Sequence, residues 1–217
     1  MQFYLSVLFS ATVIVACIIA LNRYHLISRL YRPFVFILWL GFLVDLTGYI
    51  TIMFGVSYAV PGNIYVLINL YLVLWLFTRW EISQSKKRLF QIMAVLLTLV
   101  WILDNFILNP ITQLNVLFRF CYSSLLIFLS IDQINRVIVS ERKNIWKNAR
   151  FVICAAFLIF YTFKSLEEIF FLVIDPKNED FLSYVWMIMM VITLVVNSIY
   201  AYAALCIPSK EKFILPY

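Results

Sequence analysis

Seven long apolar runs dominate the chain, at residues 3–21, 33–54, 62–80, 89–109, 114–131, 151–174 and 182–207. A hydrocarbon core of about 30 Å takes about 20 residues of helix, and each run is close to that length. Inside lipid, backbone polar groups must pair within a helix or around a closed barrel. The runs are continuously apolar rather than alternating, which favours helices over the strands of an outer-membrane barrel. The expected fold class is therefore all-α: a polytopic membrane protein of seven transmembrane helices forming one domain over 1–217. The runs occupy 149 of 217 residues and leave 68 for loops and tails, too few for an appended soluble domain.

Composition agrees. Hydrophobic residues make up 65% of the chain and charged residues 13%, against about a quarter in soluble domains. The mean hydropathy is +0.96. A soluble enzyme, a disordered chain and a disulfide scaffold are all excluded on this ground. Cys17, Cys121, Cys154 and Cys206 stand singly in apolar runs, and His25 is the one histidine. No set of soft ligands for zinc is present in that pattern, so no metal or cofactor is expected.

Basic residues orient the chain. The linker after the first run holds Arg23, Arg29 and Arg32. That after the third holds Arg79, Lys86, Lys87 and Arg88, and that after the fifth holds Arg136, Arg142, Lys143, Lys147 and Arg150. With Lys210 and Lys212 in the tail, 14 of 17 basic residues fall on one side, while the opposite loops hold only Lys177. The positive-inside rule then places the N-terminus outside and the C-terminus in the cytoplasm. It also accounts for the net charge of +6 without any nucleic-acid partner. Ile14-Val15-Ala16-Cys17 resembles a lipobox, but no basic stretch precedes it and arginines follow it, so a retained first helix is expected.

The four glycines are Gly41, Gly48, Gly55 and Gly62, and all six prolines lie at run ends, in loops or in the tail. Unbroken helix interiors are the expectation, whereas many transporters bind substrate at discontinuous helices. Gly41, Asp45 and Gly48 share a helical face, which predicts a close helix contact around a carboxylate.

The remaining polar groups converge on one level. Asp104, Arg119, Lys164, Glu167 and Glu168 fall in the outer half of their runs, while Asp45, Asn69 and Asn197 fall near mid-depth. A charge at mid-bilayer costs about 2.5–3.5 kcal/mol, so these groups should face the bundle interior. Tyr161, Lys164 and Glu168 share a face, with Glu167 rotated toward the rim. Lys164 should pair with Asp45 or Asp104, and Glu168 with Arg119. The convergence fits either a dry ion-pair network or a hydrated pocket open to the outside, walled by Trp101, Tyr49 and Tyr161. Trp80, Trp146 and Trp186 fit an interfacial aromatic belt. The amphipathic stretch 131–149 should extend the fifth helix and then lie on the inner leaflet.

Several stretches resemble a loosely defined group of small bacterial seven-helix membrane proteins often encoded beside sensor histidine kinases. They are Phe42-Leu43-Val44-Asp45, Ile64-Tyr65-Val66-Leu67-Ile68, Asn144-Ile145-Trp146, Ile159-Phe160-Tyr161 and Asn197-Ser198-Ile199-Tyr200. Where those proteins often carry a carboxylate after the Ile-Tyr motif, this chain has Asn69. The resemblance implies a sensory or signalling membrane component.

The function expected is a receptor- or sensor-like protein of a bacterial inner membrane, not an enzyme. Asp45, Asp104, Arg119, Lys164, Glu168, Asn69, Asn197, Tyr161 and Trp101 are its candidate ligand-binding residues. Its expected partners are membrane lipids, a small polar ligand and a cytoplasmic or membrane signalling protein such as a sensor kinase. One alternative is a small-molecule transporter of three-plus-one-plus-three helices, weakly echoed by Asn69 with Tyr71 and Asn197 with Tyr200. An intramembrane lipid hydrolase using Asp45 and Asp104 as an acid–base pair is the other.

Overall fold

The computed structural model describes residues 9–140, 144–173 and 179–208. Among these the chain is all-helical, with no β-strand. The helices are α1 (Val13–Asn22), α2 (Arg32–Met53), α3 (Ala59–Trp80), α4 (Gln84–Ile102), α5 (Val116–Ser140), α6 (Ala149–Val173) and α7 (Glu179–Cys206). Six are long and apolar enough to cross a membrane, and α1 belongs to a shorter apolar stretch, Phe9–Asn22. The first apolar run begins before the described residues. Arg142, Lys143, Lys177, Lys210 and Lys212 also lie outside them.

Several helices outrun their apolar segments. α4 begins five residues before its run, and α5 continues nine residues past residue 131. Once a helix is nucleated, each added residue gains a backbone hydrogen bond at little cost. The added turns are basic or amphipathic, and their long side chains can reach away from an apolar surface. After α5 the chain passes a left-handed Asn144 and a 3₁₀ turn at Ile145–Lys147. Asn148 then caps α6, its Oδ1 accepting from the amides of Arg150 (2.8 Å) and Phe151 (3.3 Å).

Each helix packs on its sequence neighbour, and α1 closes the ring against α7. α3 is the most enclosed, with half of its apolar window buried, whereas α4 is peripheral with 11%. The core is aromatic: Phe34, Tyr200, Phe157 and Tyr161 form a chain of edge contacts with centroids 5.6–6.0 Å apart. Large apolar side chains such as Val95, Leu99, Phe106 and Phe128 are exposed on the outside, a surface suited to lipid and not to water.

The helices alternate in direction, so Arg23, Arg32, Lys86, Arg136 and Arg150 fall at one end of the bundle, hereafter the basic end. There Arg23 spans the end of α7, donating through Nη1 to the carbonyls of Ala204 (2.8 Å) and Leu205 and through Nη2 to that of Ile207 (3.3 Å). A cation at that position satisfies orphan carbonyls and opposes the helix dipole. Trp80 departs from the aromatic-belt expectation. It is 4% exposed and packs against Tyr31 and Phe77, so it is core, whereas Trp146 is 71% exposed.

The helices are not wholly regular. α4 runs on into a π-helical segment, Leu103–Leu108, that itself contains no glycine or proline. Its wider turn directs both Asp104 and Asn105 into the interior, at 0% and 1% exposure.

Candidate functional site

Four of the candidates, Trp101, Arg119, Asn69 and Tyr161, are tied together through α3. Near its start, Asn63 is 2% exposed and fully engaged. Its Nδ2 donates to the carbonyls of Ile111 (3.0 Å) and Gln113 (2.7 Å), and its Oδ1 accepts from Arg119 Nη2 (3.2 Å). Its backbone carbonyl accepts from the Trp101 indole at 3.0 Å, so Trp101 braces α4 against α3. Sequence reading missed Asn63, which sits at a helix start where polar residues are commonplace.

Arg119 is the central cation. Its guanidinium is half-buried, has no carboxylate within 4 Å among the described residues, and keeps a buried Nε with no hydrogen-bond partner. A Cβ at Gly62 would lie 3.1 Å from Arg119 Nη2 and 3.1 Å from the Tyr58 ring. The other edge of that ring faces Gly48, where a Cβ would lie 3.2 Å away. Gly48 and Gly62 thus clamp Tyr58 between α2 and α3. Among the described residues nothing lies within 4 Å of a Cβ built at Gly41, which corrects the expected close contact on both sides of Asp45. Asp45 itself is exposed on α2, with Ser10 beside it, and acts electrostatically on Tyr58 and Tyr65, as does Arg119.

Lys164 overturns the expected cross-helix pairing. Its Nζ bridges Glu167 Oε2 (2.6 Å) and Glu168 Oε1 (3.2 Å), both on its own helix. Glu167 is 5% exposed, not at the rim, and Glu168 is 3% exposed. The turn of α6 places all three on an arc wide enough for one flexible ammonium to reach both carboxylates. Arg119 acts on Glu168 only from beyond direct ion-pair range.

Asp104 is also corrected. Its Oδ2 accepts from the Phe118 amide at 2.8 Å and its Oδ1 from Asn109 Nδ2 at 3.2 Å. It caps the first turn of α5 from a distance. Asn105 closes the same loop, accepting from Asn115 Nδ2 at 2.9 Å.

Deeper in the bundle, Asn69 Nδ2 donates to Tyr122 Oη (2.8 Å) and Tyr161 Oη (3.0 Å), and the two phenols are 2.9 Å apart. The triangle joins α3, α5 and α6, and its members cannot satisfy it alone. Asn69 Oδ1 is buried without a donor, and one phenol proton has no acceptor within the triangle. Turning the amide would replace the orphan acceptor by orphan donors. Asn197 lies apart from all of this. Its Nδ2 faces the start of the first helical stretch, at 3.0 Å from Thr12 Oγ1 and 3.3 Å from the Ser10 carbonyl.

Two open grooves lie at the basic end, one beside Lys86 and Arg88 and one beside Lys147 and Arg150. No group of three or more metal-ligating side chains occurs among the described residues. Comparison with protein-family models, curated proteins and solved structures gives no match.

Proposed function

We infer that the protein is a receptor- or sensor-like component of a bacterial inner membrane, with seven helices crossing the bilayer, the N-terminus outside and the C-terminus cytoplasmic. Its ligand is small and zwitterionic or polar, and it enters from the outer side. The observation that carries this reading is Arg119. A structural ion-pair network joins its charges, yet among the described residues Arg119 has only a neutral oxygen from Asn63 and an unused Nε, while Asp45 lies open near the same tyrosines. A ligand carboxylate on Arg119 and a ligand cation toward Asp45 would give each an opposite charge.

A route to the far end is built in. α3 and α5 are latched at three levels, by Asn63 with Arg119, by Asn69 with Tyr122 and, at the basic end, by Glu81 with Arg136. A ligand that draws Arg119 from Asn63 changes the uppermost latch and shifts α5 relative to α3. A cytoplasmic or membrane signalling partner reads that shift.

Thermal unfolding of the full chain in detergent tests the binding step, with α-amino acids and betaines as probes. At least one probe should raise the melting temperature, and Arg119→Gln and Asp45→Asn should each abolish the rise. A response that survives Arg119→Gln, or no response to any zwitterion, defeats the reading.

A further inference from the structure

A basic groove at the far end of the bundle is independent of the function proposed above. A cavity of about 510 Å³ opens between the end of α5, the 3₁₀ turn, the start of α6 and the end of α7. Its walls include Ser140, Asn144, Lys147, Arg150 and Cys206, and none of its lining residues is a carboxylate.

Among the described residues the charge around it is uncompensated. Among the described residues, Glu81 and Asp132 are the carboxylates in ion pairs in this half, and both are taken by Arg136. Neither Lys147 nor Arg150 has a carboxylate within 4 Å among those residues. Arg150 is half-buried, and its guanidinium stands 5.9 Å from the centroid of the Trp80 ring, which fixes the group without neutralising it. The start of α6 in the cavity wall adds the positive end of a helix dipole.

Position selects the anion's source. Trp146, next to Lys147, is 71% exposed, and Tyr202, whose hydroxyl donates to the Trp146 carbonyl at 3.2 Å, is 45% exposed. Amphipathic aromatic rings facing outward at a bundle end mark the headgroup level of a bilayer. We propose that this cavity binds the phosphate of an anionic phospholipid from the leaflet on the basic side, with Arg150 and Lys147 as its charge partners and the Asn144 amide as a neutral one. Basic pockets between helices at such a level suit lipid phosphates.

The test uses the full chain in a neutral detergent. Binding is read by thermal shift and by native mass spectrometry, with phosphatidylglycerol, phosphatidylcholine, glycerol phosphate and inorganic phosphate as separate probes. Phosphatidylglycerol should bind and raise the melting temperature, and phosphatidylcholine should not. Lys147→Gln should weaken phosphatidylglycerol binding about fivefold, and Lys147→Gln with Arg150→Gln by roughly 20- to 30-fold. Lys86→Gln with Lys87→Gln removes the same charge outside the cavity and should change binding less than twofold. Lys147 is exposed, so its single variant remains informative if the double variant folds poorly. Equal losses in the two double variants would reduce the effect to general charge attraction and overturn the site. Equal binding of glycerol phosphate would overturn the lipid as its source, and no preference for phosphatidylglycerol would overturn the proposal outright.

Discussion

The guanidinium of Arg119 lies so close to the backbone of Gly62 that a Cβ there would stand 3.1 Å from Nη2. The glycine thereby sets where the central cation of the outer half can rest. It also sets the Tyr58 ring, which meets the same space from the other side.

Gly62→Ala should therefore move Arg119 and Tyr58 by a few tenths of an ångström without unfolding the bundle. Helix propensity favours alanine by about 0.5–1 kcal/mol, and overpacking costs about 1–3 kcal/mol. A net destabilisation of roughly 0–2 kcal/mol is expected, with a larger proportional loss of zwitterion response. Unfolding in denaturing detergent alongside probe titration checks both.

Lys164→Met leaves two buried carboxylates, Glu167 and Glu168, without their shared cation. Removing one member of a buried ion pair costs about 3–5 kcal/mol, and the 26% exposure of the Lys164 side chain places the expected loss toward the lower end. Because both partners are on α6, adding Glu167→Gln to Lys164→Met should recover part of the loss, while adding Asp45→Asn or Asp104→Asn should recover none. A double-mutant cycle measured by unfolding distinguishes these outcomes.

Glu81 makes stability depend on pH at the basic end. Burial pushes its carboxyl upward, but the Ser83 amide, the Arg136 guanidinium and the Ile82 amide outweigh burial and hold it below the usual range. A carboxyl depressed in the folded state contributes stability that is present above its unfolded value, about 4.3. That contribution is lost as pH falls through the lower folded value. Wild type should therefore lose stability relative to Glu81→Gln as pH drops from about 6 toward 3. Parallel melting curves of the two proteins over that range check the sign.

The orientation is open to direct measurement. A reporter active only outside the cytoplasm should be active when inserted near Lys177 and inactive when fused after Tyr217. The division of 14 basic residues to one between the two sets of loops and tails motivates this outcome. The reverse pattern at either position would remove or invert a helix.

The sequence by itself determined the helices and their membrane character. Runs of 18–26 apolar residues can satisfy their backbone in lipid only as helices, and that constraint is local. Asp104, Glu167 and Glu168 do turn inward, as transfer cost requires, but Asp45 is exposed on α2 and departs from that expectation. Tertiary structure decided who partners whom. The spacing of Lys164 and Glu168 was legible, but whether an ammonium reaches along its own helix or across to another depends on helix rotation, which periodicity leaves free. Asp104 read as one more membrane carboxylate until the π-helical turn, invisible in composition, aimed it at the amide of Phe118. Asn63 looked ordinary because its importance comes from meeting Arg119, Trp101 and the 111–113 loop, contacts between residues 38 to 56 positions apart. Such contacts form only when α3 packs against its neighbours, and tertiary packing places it there, not the hydropathy of its own residues.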